Sequence, residues 1–274
     1  MKTIALLTFL FGSFHLSSQV YFNLNYSNME PIFTSVYGEE ITEMIDGNEV
    51  NKIAQYSLGE GNQYGLNLGV RIKKGIYADL GVLVHQGEKI KIKRFSGPFR
   101  QIDDEIYGNF IALSPGIKLL LDEEKFISYY AKGALLIGFS TKMLESSESL
   151  ETSSTPIGYD YIREYSKNIP LGGEFQLGLE LNPTRNWTFS MALKLIVLEF
   201  TPRYSELTHF DVNGVSQLPK LNVRGIKTEY ITTNANLPNG NENEQPHYEY
   251  IESYPLNGLG FTVGVQYWFG RKKE

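Results

Sequence analysis

The sequence predicts an all-β protein, an eight-stranded antiparallel transmembrane up-and-down β-barrel, and three observations carry that expectation. Segments of strand length alternate large apolar residues with small or polar ones, tight turns alternate with long connections, and no long segment holds a sustained 3.6-residue period. The last segment is the clearest. Leu259, Phe261, Val263, Val265, Tyr267 and Phe269 share one face, with Gly260, Thr262, Gly264, Gln266 and Trp268 on the other. Because a strand points successive side chains to opposite sides, one side is an apolar stripe and the other is mostly small or polar.

Taken in order, the first strand, near Val20 to Tyr26, alternates weakly. The second sets Tyr64, Leu66, Leu68, Val70 and Ile72 against Gly65, Asn67, Gly69, Arg71 and Lys73. Lys73-Lys74-Gly75 is a tight hairpin turn, with glycine supplying the positive φ. Ile76, Ala78, Leu80, Val82 and Val84 mark the third strand. Ile111 to Leu121 and Ile127 to Phe139 form strands four and five around a turn at Asp122 to Lys125, with Pro115 a local conflict suited to a bulge. Leu171 to Leu181 and Trp187 to Val197 form strands six and seven around Asn182 to Asn186. Long connections of roughly 28–62, 86–105, 141–168 and 200–255 then fall at the opposite end from the termini and short turns, the arrangement of an outer-membrane barrel. If Thr228 to Thr233, which also alternates, enters the membrane, the count becomes ten; otherwise this stretch extends strands seven and eight above it.

Lys2 followed by an apolar run from Ile4 to Phe11 and a small, polar stretch reads as a secretory signal peptide over 1–18, leaving 19–274 as the barrel domain. Export without cysteine leaves the sheet as the source of stability. A net charge of −6 argues against a nucleic-acid partner.

Alternation alone does not say which face is outside, since a soluble lipocalin-like barrel alternates with its apolar face inward. Three features favour lipid outside. Tyr129, Trp187, Phe189, Tyr267 and Phe269 cluster at the short-turn ends of the apolar faces, as an interfacial belt does. The opposite faces carry Arg71, Asp79, Lys118, Lys132, Glu174, Glu180 and Lys194 among glycines, a mixed set able to pair in a narrow lumen. The last strand ends in aromatics before a short tail, Arg271 to Glu274.

With its signal segment, eight alternating strands and terminal Tyr267-Trp-Phe269, the chain resembles the small outer-membrane β-barrel proteins of Bacteroidota, a group with PorT-like and OmpW-like members. The resemblance implies a Gram-negative outer membrane, contact with its lipid, and insertion by the barrel-assembly machinery. It carries over no catalytic residue. Here Gly270 to Glu274 follow the terminal aromatic, a departure from the usual ending.

The lumen of an eight-stranded barrel is just wide enough for side chains, so the charged set reads first as a packed ionic plug and second as a narrow path for a solute or proton. A lipid-modifying enzyme at the rim needs a histidine base beside a serine; His85 lies at the outer end of strand three, with Glu88 and Ser96 following, but has no serine at strand spacing. Gly59 to Gly65 misses the dinucleotide spacing, and Asp211-Val-Asn213-Gly214 lacks the remaining ligands of a calcium loop, so neither a cofactor nor a metal is expected. The fourth long connection holds Tyr204, Phe210, Tyr230, Tyr248, Tyr250 and Tyr254, residues suited to recognising an extracellular protein or glycan. The leading expectation is a non-enzymatic structural or surface-recognition protein, with transport of small or apolar solutes second and the rim enzyme third.

Overall fold

Eight strands close on themselves. They are β1 (Val20–Pro31), β2 (Gly61–Lys73), β3 (Ile76–Gly87), β4 (Arg100–Leu121), β5 (Ile127–Glu151), β6 (Leu171–Leu181), β7 (Trp187–Phe200) and β8 (Gly258–Phe269). The computed structural model describes residues 19–270, apart from 33–34, 46–47, 96–99, 124, 152–156, 167–168, 232–242 and 252. The expected signal peptide, the basic tail and Ser96 lie outside these described residues. Each strand pairs antiparallel with its sequence neighbours in the barrel, and β1 pairs with β8, so the wall is a pure up-and-down meander.

The register fixes the barrel's dimensions. Starting at Tyr21 and stepping across the wall, the partners are Gly69, Asp79, Gly116, Ala134, Glu174, Ile196 and Gly258, and the path returns to β1 at Pro31. That displacement of ten residues is the shear, and with eight strands it tilts them by about 40–45° to the axis. Such a barrel has room for side chains and little else.

Both ends of the chain's barrel and its three tight turns lie at one end. Gly75 has φ +72°, and a Cβ there would sit 2.6 Å from the Leu120 carbonyl oxygen. Gly75→Ala is therefore expected to cost about 1–2 kcal/mol, read as a lowered urea midpoint; a loss below about 0.5 kcal/mol, an ordinary surface change, would show that the turn imposes no such constraint. Pro115 sits inside β4 without ending it. Its pairing with β3 is unbroken, the ladder to β5 skips Ser114 and Pro115, and the bulge falls higher, between Ile111 and Ala112. The ladder to β5 is thus where the missing N–H is absorbed.

At the other end two strands overshoot. β4 and β5 run 22 and 25 residues, and their upper parts, 100–111 and 140–151, stay paired above the rim. A raised sheet grows from them in the order Ile90–Phe95, β4, β5, Ile157–Ser166, Tyr204–Val212, Lys227–Ile231, His247–Tyr250. The last pair is parallel. Segments expected as long connections are thus largely sheet, and the overshoot belongs to strands four and five instead of seven and eight. Lys227–Ile231 pairs with Tyr204–Val212 and not with the wall, so the barrel has eight strands and not ten. Asp211 to Gly214 is the start of a hairpin, with Asn213 and Gly214 at φ 51° and 74°.

Polarity inverts with height, and β7 displays the inversion in one strand. Its inward residues are Thr188, Ser190, Ala192 and Lys194 below, then Ile196, Leu198 and Phe200 above, all buried. Its outward residues Trp187, Phe189, Met191, Leu193 and Val197 are exposed, until Glu199 ends the apolar series. Below, oil faces out and charge faces in; above, the arrangement of an ordinary water-soluble protein returns.

Candidate functional site

The lower lumen is built upward from the tight turns. Tyr21, Tyr77 and Trp268 meet edge-on with ring centroids 5.0–5.7 Å apart, and the Trp268 indole N–H donates to Thr188 Oγ1 at 3.0 Å. Glu123, from the turn between β4 and β5, closes this floor. It accepts from the Tyr77 hydroxyl and from Gly75 N at 3.0 Å, and it lies 3.7 Å from Arg71. Arg71 thus belongs to the base and not to the central network.

Above the rings the other six charged residues join. The Lys118 ammonium pairs with Glu180, donates to Gln266 Oε1 at 2.9 Å, and sits over the rings of Tyr21 and Tyr130 at 4.7 and 4.9 Å. Tyr21 donates to Asp79 Oδ2 at 2.5 Å, and Asp79 Oδ1 pairs with Lys132 at 2.7 Å. Lys132 also donates to Asn67 Oδ1 at 3.0 Å and lies 3.5 Å from Glu174, which in turn meets Lys194 at 3.3 Å. Gln176 holds Glu174 from the side at 2.6 Å. Lys118, Lys132 and Lys194 are thus matched by Asp79, Glu174 and Glu180, and all six are buried. Unpaired, any of these charges would be very costly here; paired and hydrogen-bonded, the set is neutral. A polar cavity of about 20 Å³ beside Asp79, Lys118 and Lys132 has room for about one water.

The upper lumen is filled by apolar side chains and by chain that folds inward. Leu58 and Leu256, from segments flanking β2 and β8, are fully buried among Met29, Phe110, Ile196 and Phe200. Leu58 N donates to the Pro255 carbonyl and Leu256 N to the Leu198 carbonyl, both at 2.8 Å, so these plug segments are tied to each other and to the wall. His85 is buried in the same layer. Its ring stacks on Phe110 at 4.8 Å, Nε2 donates to the Leu58 carbonyl at 3.2 Å, and Nδ1 accepts from Gln63 at 3.3 Å. Expected at an open rim, it instead points into the plug, with no serine among these contacts.

The raised sheet divides into two faces. Inside, the Glu145 carboxylate accepts from Tyr161 at 2.9 Å and from Tyr165, and burial together with that carboxylate pushes both hydroxyls above their usual range. Arg163 donates to Ser205 and Thr228 at 3.2 and 2.9 Å. Outside, Asp103, Glu148, Asp160 and Asp211 stand directly opposite one another on four adjacent strands. Of the six aromatics expected to recognise a partner, Tyr230 and Tyr254 are corrected by their burial: both contact the Tyr165 ring and seal the upper core. Phe210, Tyr204 and Tyr248 are half-buried, and Tyr250 is 61 % exposed. Aromatic content was the only signal for this group, and it does not separate a contact surface from a core.

No family description matches the sequence, and no curated protein matches it. Among solved structures the chain is similar to Ail, the attachment invasion locus protein of Yersinia pestis, at 10 % identity and a TM-score of 0.34, over 93 % of this chain and 100 % of that one. It is also similar to the outer membrane protein OprG of Pseudomonas aeruginosa, at 10 % identity and a TM-score of 0.37, over 93 % of this chain and 97 % of that one. At these scores the likeness adds nothing to what the strand register shows by itself.

Proposed function

We propose that this chain is a non-enzymatic barrel of a Gram-negative outer membrane, acting as a structural and surface-recognition protein through its raised sheet. Placement in lipid is supported by the exposed apolar belt, in which Leu80, Ile117, Leu135, Leu177, Leu193 and Phe261 stand outward from six different strands. A soluble protein seldom exposes a continuous apolar surface of this extent. The belt ends at a cross-strand row of amides, Asn28, Asn62, Gln86 and Asn109, which marks the water boundary on the raised-sheet side.

One observation carries the functional reading: the lumen is filled through its height, while the chain's surplus sheet is spent above the membrane. Among the described residues, a neutral ionic network below and an apolar plug above leave no continuous aqueous path. Recognition then falls to the outer face of the raised sheet, where Tyr204 and Tyr248 stand on either side of Glu229 and Tyr250 is exposed close by; an extracellular protein or glycan is the partner such a surface suits. In planar bilayers the purified barrel is expected to show no steady conductance, and stable single-channel currents would sink the plug. Binding to panels of immobilised extracellular proteins and glycans is expected to fall at least about fivefold (about 1 kcal/mol) in a Tyr204→Ala/Tyr250→Ala variant. Equal binding by the variant would remove these tyrosines from the role.

A further inference from the structure

The outer wall is not evenly convex. Across β7, β8, β1, β2 and β3 it caves inward, leaving a depression of about 900 Å³. Two cross-strand rows line it, one running from Phe189 through Leu24 to Val82 and the next from Met191 through Tyr26 to Val84. The inner side behind it is closely packed. The inward row behind it places Gly264 and Gly65 on either side of Asn25, next to Ser190. A Cβ at Gly65 would fall 2.3 Å from Asn25 Oδ1, and one at Gly264 would fall 2.6 Å from Ser190 Oγ. A side chain at either position would have to push Asn25 or Ser190 aside, so this close packing behind the depression requires glycine at both.

The trough has an amphipathic edge. One step higher on β1, β2 and β3 stand Asn28, Asn62 and Gln86, and the Tyr26 hydroxyl donates to Asn62 Oδ1 at 2.6 Å. With strands about 4.8 Å apart, five of them give a trough on the order of 20 Å across, and its two rows descend along the strands from the amide edge, so an acyl chain headed at that edge lies across both. Lipid tails gain little from one apolar wall over another, because they are as apolar as the wall itself. A concave wall differs, since it meets a chain on several sides and multiplies close contacts. The amides at the edge add hydrogen-bond donors where the ester or headgroup oxygens of that lipid would lie.

We infer that the trough is a retained-lipid site, holding one acyl chain of a membrane lipid from the leaflet on the raised-sheet side, with the amide edge on its polar end. The inference rests on the membrane placement proposed above, and continuity of the trough with the apolar belt is what selects a lipid as occupant.

The test is native mass spectrometry of the full-length barrel extracted from its own membrane in dodecyl maltoside. Val263→Trp and Val82→Trp fill the trough from two strands; Leu177→Trp, on β6, is the control. Heat-dependent gel mobility reports folding, so either trough variant carries the test if the other fails to fold. The expected result is a lipid-mass adduct on wild type and on Leu177→Trp, reduced at least fivefold in the folded trough variants. A bare wild-type barrel, an adduct retained by the trough variants, or a dimer that Val263→Trp splits would overturn the inference. A protein that needs no detergent would instead overturn the membrane placement, an outcome distinct from a detergent-requiring barrel without lipid.

Discussion

Glu174→Leu is expected to cost about 3–5 kcal/mol of barrel stability, the range for removing one partner from a buried ion network. Glu174 lies between Lys132 and Lys194, so its loss leaves Lys132 with Asp79 and leaves Lys194 without its carboxylate. An ammonium buried that deeply has no water to fall back on. The double variant Glu174→Leu/Lys194→Met restores neutrality, two lysines against two carboxylates, and fills the space with apolar atoms. It is expected to recover most of the loss, because replacing a whole buried pair is often neutral. Urea unfolding of barrels folded into phospholipid vesicles measures both by linear extrapolation. If the single change costs less than about 1 kcal/mol, the range of an exposed ion pair, or the double change is no better than the single, the lumen is wetter than the packing implies.

How far the sequence could be read depends on which residues obey a period. The strands of the belt were legible because Leu177 and Leu179, or Phe261 and Val263, alternate with Gly178, Gly260, Thr262 and Gly264 over a whole strand. Parity along those strands also placed Lys118, Glu180 and Lys194 inward. Tyr21, Tyr77 and Trp268 were missed as the lumen's floor, since parity puts them inside but large aromatics there look out of place until the three are seen to stack on one another. Glu123 was missed because a turn has no period. The upper halves of β4 and β5 carry no strand signal for a related reason: Glu145-Ser-Ser-Glu148-Ser alternates nothing apolar, and its pairing with 102–106 is set by a partner about 40 residues away in sequence.

The inversion of polarity explains the remaining errors. A rule that sends oil outward holds for β7 up to Leu195 and Val197, then fails at Ile196, Leu198 and Phe200, which point in. His85 lies at this changeover, and its partner Leu58 comes from chain outside any strand. Tyr230 and Tyr254 lie above it, where aromatics again belong to a core. Height along the barrel axis is a property of the folded barrel, and no local window of sequence contains it.

That height makes the orientation testable at two positions of equal exposure. Leu177, near mid-height of the belt on β6, is 68 % exposed, and Leu121, at the tight-turn end of β4, is 66 % exposed. In a water-soluble barrel the two would respond alike to arginine, each within about 0.5 kcal/mol of wild type. In a bilayer they separate by depth. Leu177→Arg is expected to cost about 2–4 kcal/mol, the range near the midplane, and Leu121→Arg about 0–1 kcal/mol at the interface, where the guanidinium reaches headgroups. Unfolding of the two variants in the same vesicles compares them directly. Equal costs at both sites would mean that the apolar face does not meet lipid, and a larger cost at Leu121 would turn the barrel's placement in the membrane over by displacing the belt toward its turns.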